Sequence, residues 1–272
     1  MRTAGPRAVF GYAGVTLLAG LLAIAVAGPW LSARDPFAVS DQALRPPDRA
    51  HLFGTDDLGR DVFAGVVHGA AVSLSVGFAA ALLSAVVGVA IGGLAGIGKG
   101  TVDLALMRIT EFAQALPRFF LVITLVSLFG GHLGFIVAAI GLTAWPPTAR
   151  LFRAQVLSIR SRDFVAASRA AGARELAILR RHVLPMALPV LAAQLSYQAG
   201  GAILAEAGLS FLGLGDPAIM SWGAQLGTAQ HFVREAWWMS AFPGIAITLT
   251  VLACNLIADV PSGREIAVRD RS

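Results

Sequence analysis

The chain has 272 residues, 56% of them hydrophobic and only 14% charged, with a net charge of +5. A soluble domain needs about 25% charged residues to coat its surface, so this composition excludes one and points to an integral membrane protein. The apolar content also excludes disorder, glycine and proline without a triplet period exclude collagen, and one cysteine, Cys254, excludes a disulfide scaffold. The basic balance comes without a soluble basic face interleaved with aromatics, which excludes nucleic acid as a partner.

A bilayer core of about 30 Å takes roughly 20 apolar helical residues per crossing. Charge-poor windows predict an all-α chain of about six transmembrane helices, near 10–31, 72–97, 109–129, 133–152, 186–207 and 240–259. Residues 1–68 then hold the first span and an external loop, 69–260 the transmembrane domain with a loop at about 153–185, and 261–272 a tail. Arg2, Arg7 and the Ala25-Val26-Ala27 site resemble a cleavable signal, but the uncharged run from Ala8 to Ala33 exceeds the roughly 7–15 residues of a signal core. It reads as a retained first span.

The segment Leu31 to Asp61 is rich in Pro and Asp and reads as a structured external loop. Asp57 is placed to cap a following helix whose stripe of Leu58, Val62 and Val66 predicts a stretch along the interface before the chain turns inward. In the second span, Gly88, Gly92 and Gly96 at four-residue spacing predict a groove for close helix approach. The stretch Gly93 to Gly100 nearly spells a phosphate-binding loop, but Gly100 stands where a Ser or Thr hydroxyl must meet magnesium, so the chain is not expected to hydrolyse ATP.

In the third span Glu111, Gln114 and Arg118 fall at i, i+3 and i+7, which predicts one shared helix face. Ionisable groups inside a membrane usually face a cavity or a bundle interior. Two readings stay open: a stripe lining a pathway, or an interfacial Glu111 with an Arg118 that reaches headgroups or a neighbouring helix. Glu206, near the end of the fifth span, poses the same choice between a gate and a structural hydrogen bond. The five histidines are scattered, with no pair at metal-ligand spacing, and no serine sits in a nucleophile elbow, so neither an enzyme nor a metal site is expected.

Arginines concentrate on one side of the alternating segments, including Arg150, Arg153, Arg160, Arg162, Arg169, Arg174, Arg180 and Arg181. The positive-inside rule then puts both termini and the loop between the fourth and fifth spans in the cytoplasm of a multi-pass protein. That loop reads Asp163 to Pro185. Ala and Arg favour helix on both sides of Gly172, which suits the left-handed residue that ends one helix and turns the chain into another. Small Ala166, Ala167, Ala170 and Ala171 let the resulting helix–turn–helix knob sit in a partner's groove, and Pro185 and Pro189 mark re-entry into the membrane.

These residues resemble the inner-membrane permease subunits of binding-protein-dependent ABC importers, specifically the oligopeptide, dipeptide and nickel class. Ala166-Ala167-Ser168, Gly172 and Leu184-Pro185 match that family's Glu-Ala-Ala loop, with Ala166 standing where the family has Glu. The runs Phe53 to Asp61, Ala205 to Gly215 and Ser221-Trp222-Gly223 are similar to it as well. The resemblance implies the type I permease fold in a prokaryotic inner membrane, with Ala166, Ala167, Ser168, Arg169, Gly172, Ala173, Arg174, Leu184 and Pro185 forming an ATPase-coupling loop. It also implies as partners a second homologous permease, two ATP-binding subunits that use ATP and Mg, an extracytoplasmic substrate-binding protein and membrane lipid, with no cofactor on this chain. Small peptides are the first expected cargo and nickel or a metal chelate the next. The rival classes are an ion-coupled secondary transporter, which would need internal repeats that are not evident here, and an energy-independent assembly or receptor subunit.

Overall fold

Uninterrupted apolar runs become long helices, and among the described residues five helical rods are long and apolar enough to cross a membrane. In the computed structural model, which describes residues 6–98 and 100–259, these contain α1 (Pro6–Leu31), α2 (Val62–Ile97), α5 (Leu133–Arg160), α8 (Leu184–Phe211) and α10 (Trp238–Ala258). The tail expected over 261–272 and the basic residues Arg2 and Lys99 lie outside the described residues.

The third span, expected as one helix over 109–129, is a broken pair: α3 (Thr101–Ala115) and α4 (Arg118–Phe129) meet at an angle of 79°. Pro117 causes the break, because its ring removes a backbone donor and forces Leu116 into an extended conformation with φ −82° and ψ 134°. Glu111 and Gln114 therefore belong to α3 and Arg118 opens α4. The single face predicted from their spacing does not exist.

Helix α2 also departs from expectation. It has no separate interfacial stretch but runs 36 residues from Val62, about 54 Å at about 1.5 Å per residue. Asp61, not Asp57, caps it, accepting the Ala64 N–H at 3.0 Å.

The groove of small residues on α2 is filled by α5, which runs parallel to it. A Cβ on Gly88 would lie 2.6 Å from the Thr148 side chain, on Gly92 2.3 Å from the Ala149 carbonyl oxygen, and on Gly96 2.6 Å from Val156. Only glycine permits this approach, and it brings backbone dispersion contacts that stand in for a hydrophobic driving force between helices. The decoy loop is part of this packing, since Gly93 and Gly96 are helical and buried against α5. Val76 and Ala80 of α2, Val122 and Val126 of α4, Ile136 and Ile140 of α5 and Leu209 of α8 form one core.

Helix α8 ends at a left-handed Gly213 (φ +77°), where the N–H groups of Gly213 and Leu214 bond to the carbonyls of Ser210 and Leu209. The chain then forms the short α9 (Trp222–Ala229), capped by Ser221, before α10. Trp238 Nε1 donates to the Thr55 carbonyl at 3.1 Å, tying the loop 32–61 to α10. One end of the bundle thus gathers the segments 32–61, 130–132 and 212–237. The opposite end carries the turn after α2 and the segment 161–183.

Candidate functional site

At that opposite end two short helices, α6 (Asp163–Ala170) and α7 (Glu175–Ile178), form a protruding knob. Gly172 between them has φ +85°. Its N–H bonds to the Arg169 carbonyl at 2.9 Å and the Ala173 N–H to the Ser168 carbonyl at 3.0 Å, the paired closure that ends a helix on a left-handed glycine. The side chains reinforce the turn. Arg169 Nε donates to Glu175 Oε1 at 2.8 Å, Arg169 Nη2 to Oε2 at 3.3 Å, and Arg160 Nη2 approaches the same carboxylate at 3.3 Å.

The inner side of the knob is apolar. Val165, Ile178 and Val183 are buried against Phe152, Val156 and Ile159 of α5, so the knob is seated on the end of that helix. The outer side is open: Ala166, Ala167, Ala170, Ala171, Gly172, Ala173 and Arg174 are exposed, joined by Phe164 and Leu176. Ser168 and Arg169 are half-buried, the Ser168 hydroxyl donating to the Phe164 carbonyl at 2.9 Å. The result is a small-residue apolar platform rimmed by arginines, a shape suited to a protein groove.

Re-entry at Pro185 is not a joint. The π-helical stretch Leu179–Val183 runs from α7 into α8, giving one continuous rod from Glu175 to Phe211. The wider turn lets the Leu184 N–H reach the Leu179 carbonyl five residues back, which accommodates a Pro185 that has no N–H to give and would crowd the Arg181 carbonyl in an α-helix. Leu184 is half-buried and Pro185 exposed in the first turn of α8.

The other candidates are not brought together. Glu111 is exposed and paired with Arg108 at 3.0 Å. Gln114 accepts from Arg150 at 2.8 Å, and the half-buried Arg118 reaches the Ile140 carbonyl at 3.5 Å. Glu206 is buried on α8, accepting from Ser210 at 2.8 Å and Ser73 at 3.4 Å. Eight residues earlier on the same helix, Gln198 donates to Thr148 at 2.6 Å and accepts from Ser84. These buried polar groups knit α2, α5 and α8 together.

Sequence reasoning missed Glu175, which organises the knob, and Asp103, which accepts both Nε and Nη2 of Arg153 at 2.6 Å. Arg150, Arg153 and Arg160 were visible only as positive charge; their spacing along one side of a helix was the signal that they act together. At the far end, Asp61 accepts from Arg34 and meets His51 Nδ1 at 2.9 Å. Burial pushes the nearby Asp56 carboxyl above its ordinary value, against the opposing pull of the Arg60 and Leu58 N–H groups. An open cleft of about 640 Å³ lies between Asp57 and the segment 210–232.

Comparison with known proteins follows the same line. Residues 88–261 match the family described as "Binding-protein-dependent transport system inner membrane component". The chain is 41% identical over 253 residues to the dipeptide transport system permease protein DppC of Bacillus subtilis, covering 91% of this chain and 78% of the relative. It is 37% identical over 243 residues to the di/tripeptide transport system permease protein DppC of Pseudomonas aeruginosa, covering 86% and 80%. A third similar protein is the dipeptide transport system permease protein DppC of Alkalihalophilus pseudofirmus, 36% identical over 249 residues with 90% and 82% covered.

Proposed function

Because the chain belongs to the family of binding-protein-dependent transport system inner membrane components, we propose that it is one half of the translocation pathway of an ATP-driven importer of small peptides. The observation that carries the coupling part of this reading is the knob: an exposed small-residue platform on a left-handed Gly172 turn, seated rigidly on α5 and continuous with α8. In this reading the platform docks in a groove of a separate ATPase subunit. Closure of the ATPase pair pushes the knob, and α5 and α8 carry the push into the bundle as rigid bodies. Nucleotide then selects between two packings of the helices that differ by a few kcal/mol, which is alternating access.

A second homologous permease, two ATP-binding subunits and an extracytoplasmic binding protein complete the assembly, with ATP and Mg handled by the ATPase subunits. The knob end is cytoplasmic, in line with its arginines, and the membrane is the prokaryotic inner membrane. Peptide cargo is supported by the names of the similar proteins.

The test is reconstitution of this chain with the permease, ATPase and binding-protein products of neighbouring genes in proteoliposomes. The expected result is uptake of a labelled dipeptide that requires both ATP and the binding protein. Uptake by the purified chain alone, driven by an ion gradient, would overturn the assignment.

A further inference from the structure

Helix α3 is thinly packed. Thr110 is its one buried residue, while Val102, Leu104, Ile109 and Phe112 are all more than half exposed. Two polar links from α5 hold it instead: the two-pronged Arg153–Asp103 pair at its start and the Arg150–Gln114 hydrogen bond at its end. A planar guanidinium fork on a carboxylate fixes direction as well as distance, so the Arg153 link sets the attitude of α3 and not merely its proximity.

The same helix α5 bears the knob. Seven residues beyond Arg153, Arg160 donates to the Gly96 carbonyl at the end of α2 and pairs with Glu175, while Phe152, Val156 and Ile159 pack beneath α6 and α7. Arginines at 150, 153 and 160 thus connect α3, the end of α2 and the knob to one rod. Beyond Gln114, α3 runs into the 79° elbow, where Pro117 interrupts the helix and leaves a natural hinge.

We infer that Asp103 and Arg153 are positioning residues of the transport cycle: their pair makes α3 travel with α5, so that displacement of the knob is delivered to the elbow at Leu116-Pro117. The inference rests on the reading of the knob as the handle for an ATPase. The elbow is then the part of the pathway that the handle moves, at the point where α3 hands over to α4, whose Val122 and Val126 pack in the core shared with α2, α5 and α8.

The experiment uses the complete assembly in nanodiscs, with spin labels on the exposed Ala105 of α3 and Ala171 of the knob and the buried Cys254 replaced by alanine. With Asp103 and Arg153 unaltered, the distance between the labels should change by no more than about 2 Å on nucleotide trapping, the scale of packed helices moving as a unit. Asp103→Asn should broaden the distribution and lower uptake per ATP hydrolysed about tenfold. The exchanged pair Asp103→Arg with Arg153→Asp should restore both, which a loss of general stability would not. A larger change in the parent assembly, or an Asp103→Asn distribution and uptake ratio equal to the parent's, overturns the inference. A third label on the exposed Leu52 separates the two claims. If nucleotide leaves the Ala171 to Leu52 distance unchanged, the reading of the knob as a handle fails; if the knob moves and α3 does not follow, only the linkage fails.

Discussion

Arg169 and Glu175 face each other across the Gly172 turn, joined by hydrogen bonds of 2.8 and 3.3 Å, so the carboxylate at the start of α7 holds the last turn of α6. The backbone between them is in a conformation that L side chains adopt at a cost of roughly 1–2 kcal/mol. Beyond Gly172 and its two chain neighbours, no atom lies within 4 Å of where a Cβ on it would stand, so strain there comes from the local backbone alone.

Gly172→Val should therefore leave the membrane bundle folded while opening or twisting the knob. The expected outcome is normal yield and a melting temperature within a few degrees of the parent, as about 1–2 kcal/mol of local strain allows. More ATP should be hydrolysed per peptide taken up. Gly172→Asn, which tolerates the left-handed region, should lie close to the parent. Coupled uptake measured in proteoliposomes checks both, and an unaltered ratio in the valine variant at normal ATPase-subunit stoichiometry would count against the knob as the coupling element.

A second prediction concerns the α2–α5 seam. Gly92→Ala would place a methyl group 2.3 Å from the Ala149 carbonyl oxygen, and because that obstacle is backbone, the helices themselves must separate. A loss of about 3 kcal/mol is expected, at the upper end for overpacking. Gly20→Ala on α1, with nothing within 4 Å of the new atom, should be neutral or gain a few tenths of a kcal/mol from helix propensity. Thermal unfolding of the two variants in detergent, followed by fluorescence-detected gel filtration, should separate them clearly.

How much of this was legible beforehand follows the range of the interactions. The apolar spans, the small-residue groove from Gly88 to Gly96 and the Gly172 turn are written in local periodicity and in single glycines, and they were readable. The elbow was not: Pro117 announces a break, but a proline break has no fixed size and nothing local encodes its 79° angle. Arg153 and Asp103 are 50 residues apart, and no local pattern pairs them. The choice of Asp61 over Asp57 as the cap of α2 was lost similarly, because both precede helix-compatible residues and only Asp61 is fixed by Arg34 and His51.

The buried polar cluster around Glu206 gives a third prediction. Its carboxylate accepts from the Ser73 and Ser210 hydroxyls, and Ser73 in turn accepts the Trp222 N–H at 3.3 Å. Glu206→Gln keeps an acceptor at the site and should fold with little loss. Glu206→Leu strands two hydroxyls in an apolar setting, at about 1–3 kcal/mol each. Detergent melting curves should rank parent and glutamine above leucine; a leucine variant as stable as the parent would mean that water, not Glu206, satisfies those serines.

The loop 32–61 supplies a prediction with a sign in pH. Asp56 is half-buried, and desolvation raises its carboxyl above the ordinary 3.8, with the Arg60 and Leu58 N–H groups pulling the other way. A raised folded-state value means that the folded loop holds this proton more tightly than the unfolded chain does. Loop stability from this group is therefore greatest at low pH, falls as pH rises from 3.8 through the raised value, and at neutral pH the whole penalty of the buried charge is present. Asp56→Asn removes the charge but keeps an oxygen to accept the Arg60 and Leu58 N–H groups, bonds of 2.8 and 2.9 Å in the parent. The variant should protect the amides of residues 54–62 from hydrogen exchange better than the parent at pH 7, and its advantage should shrink toward pH 4. An asparagine variant less protected than the parent at pH 7 would show that attraction to Arg60 outweighs desolvation at this turn.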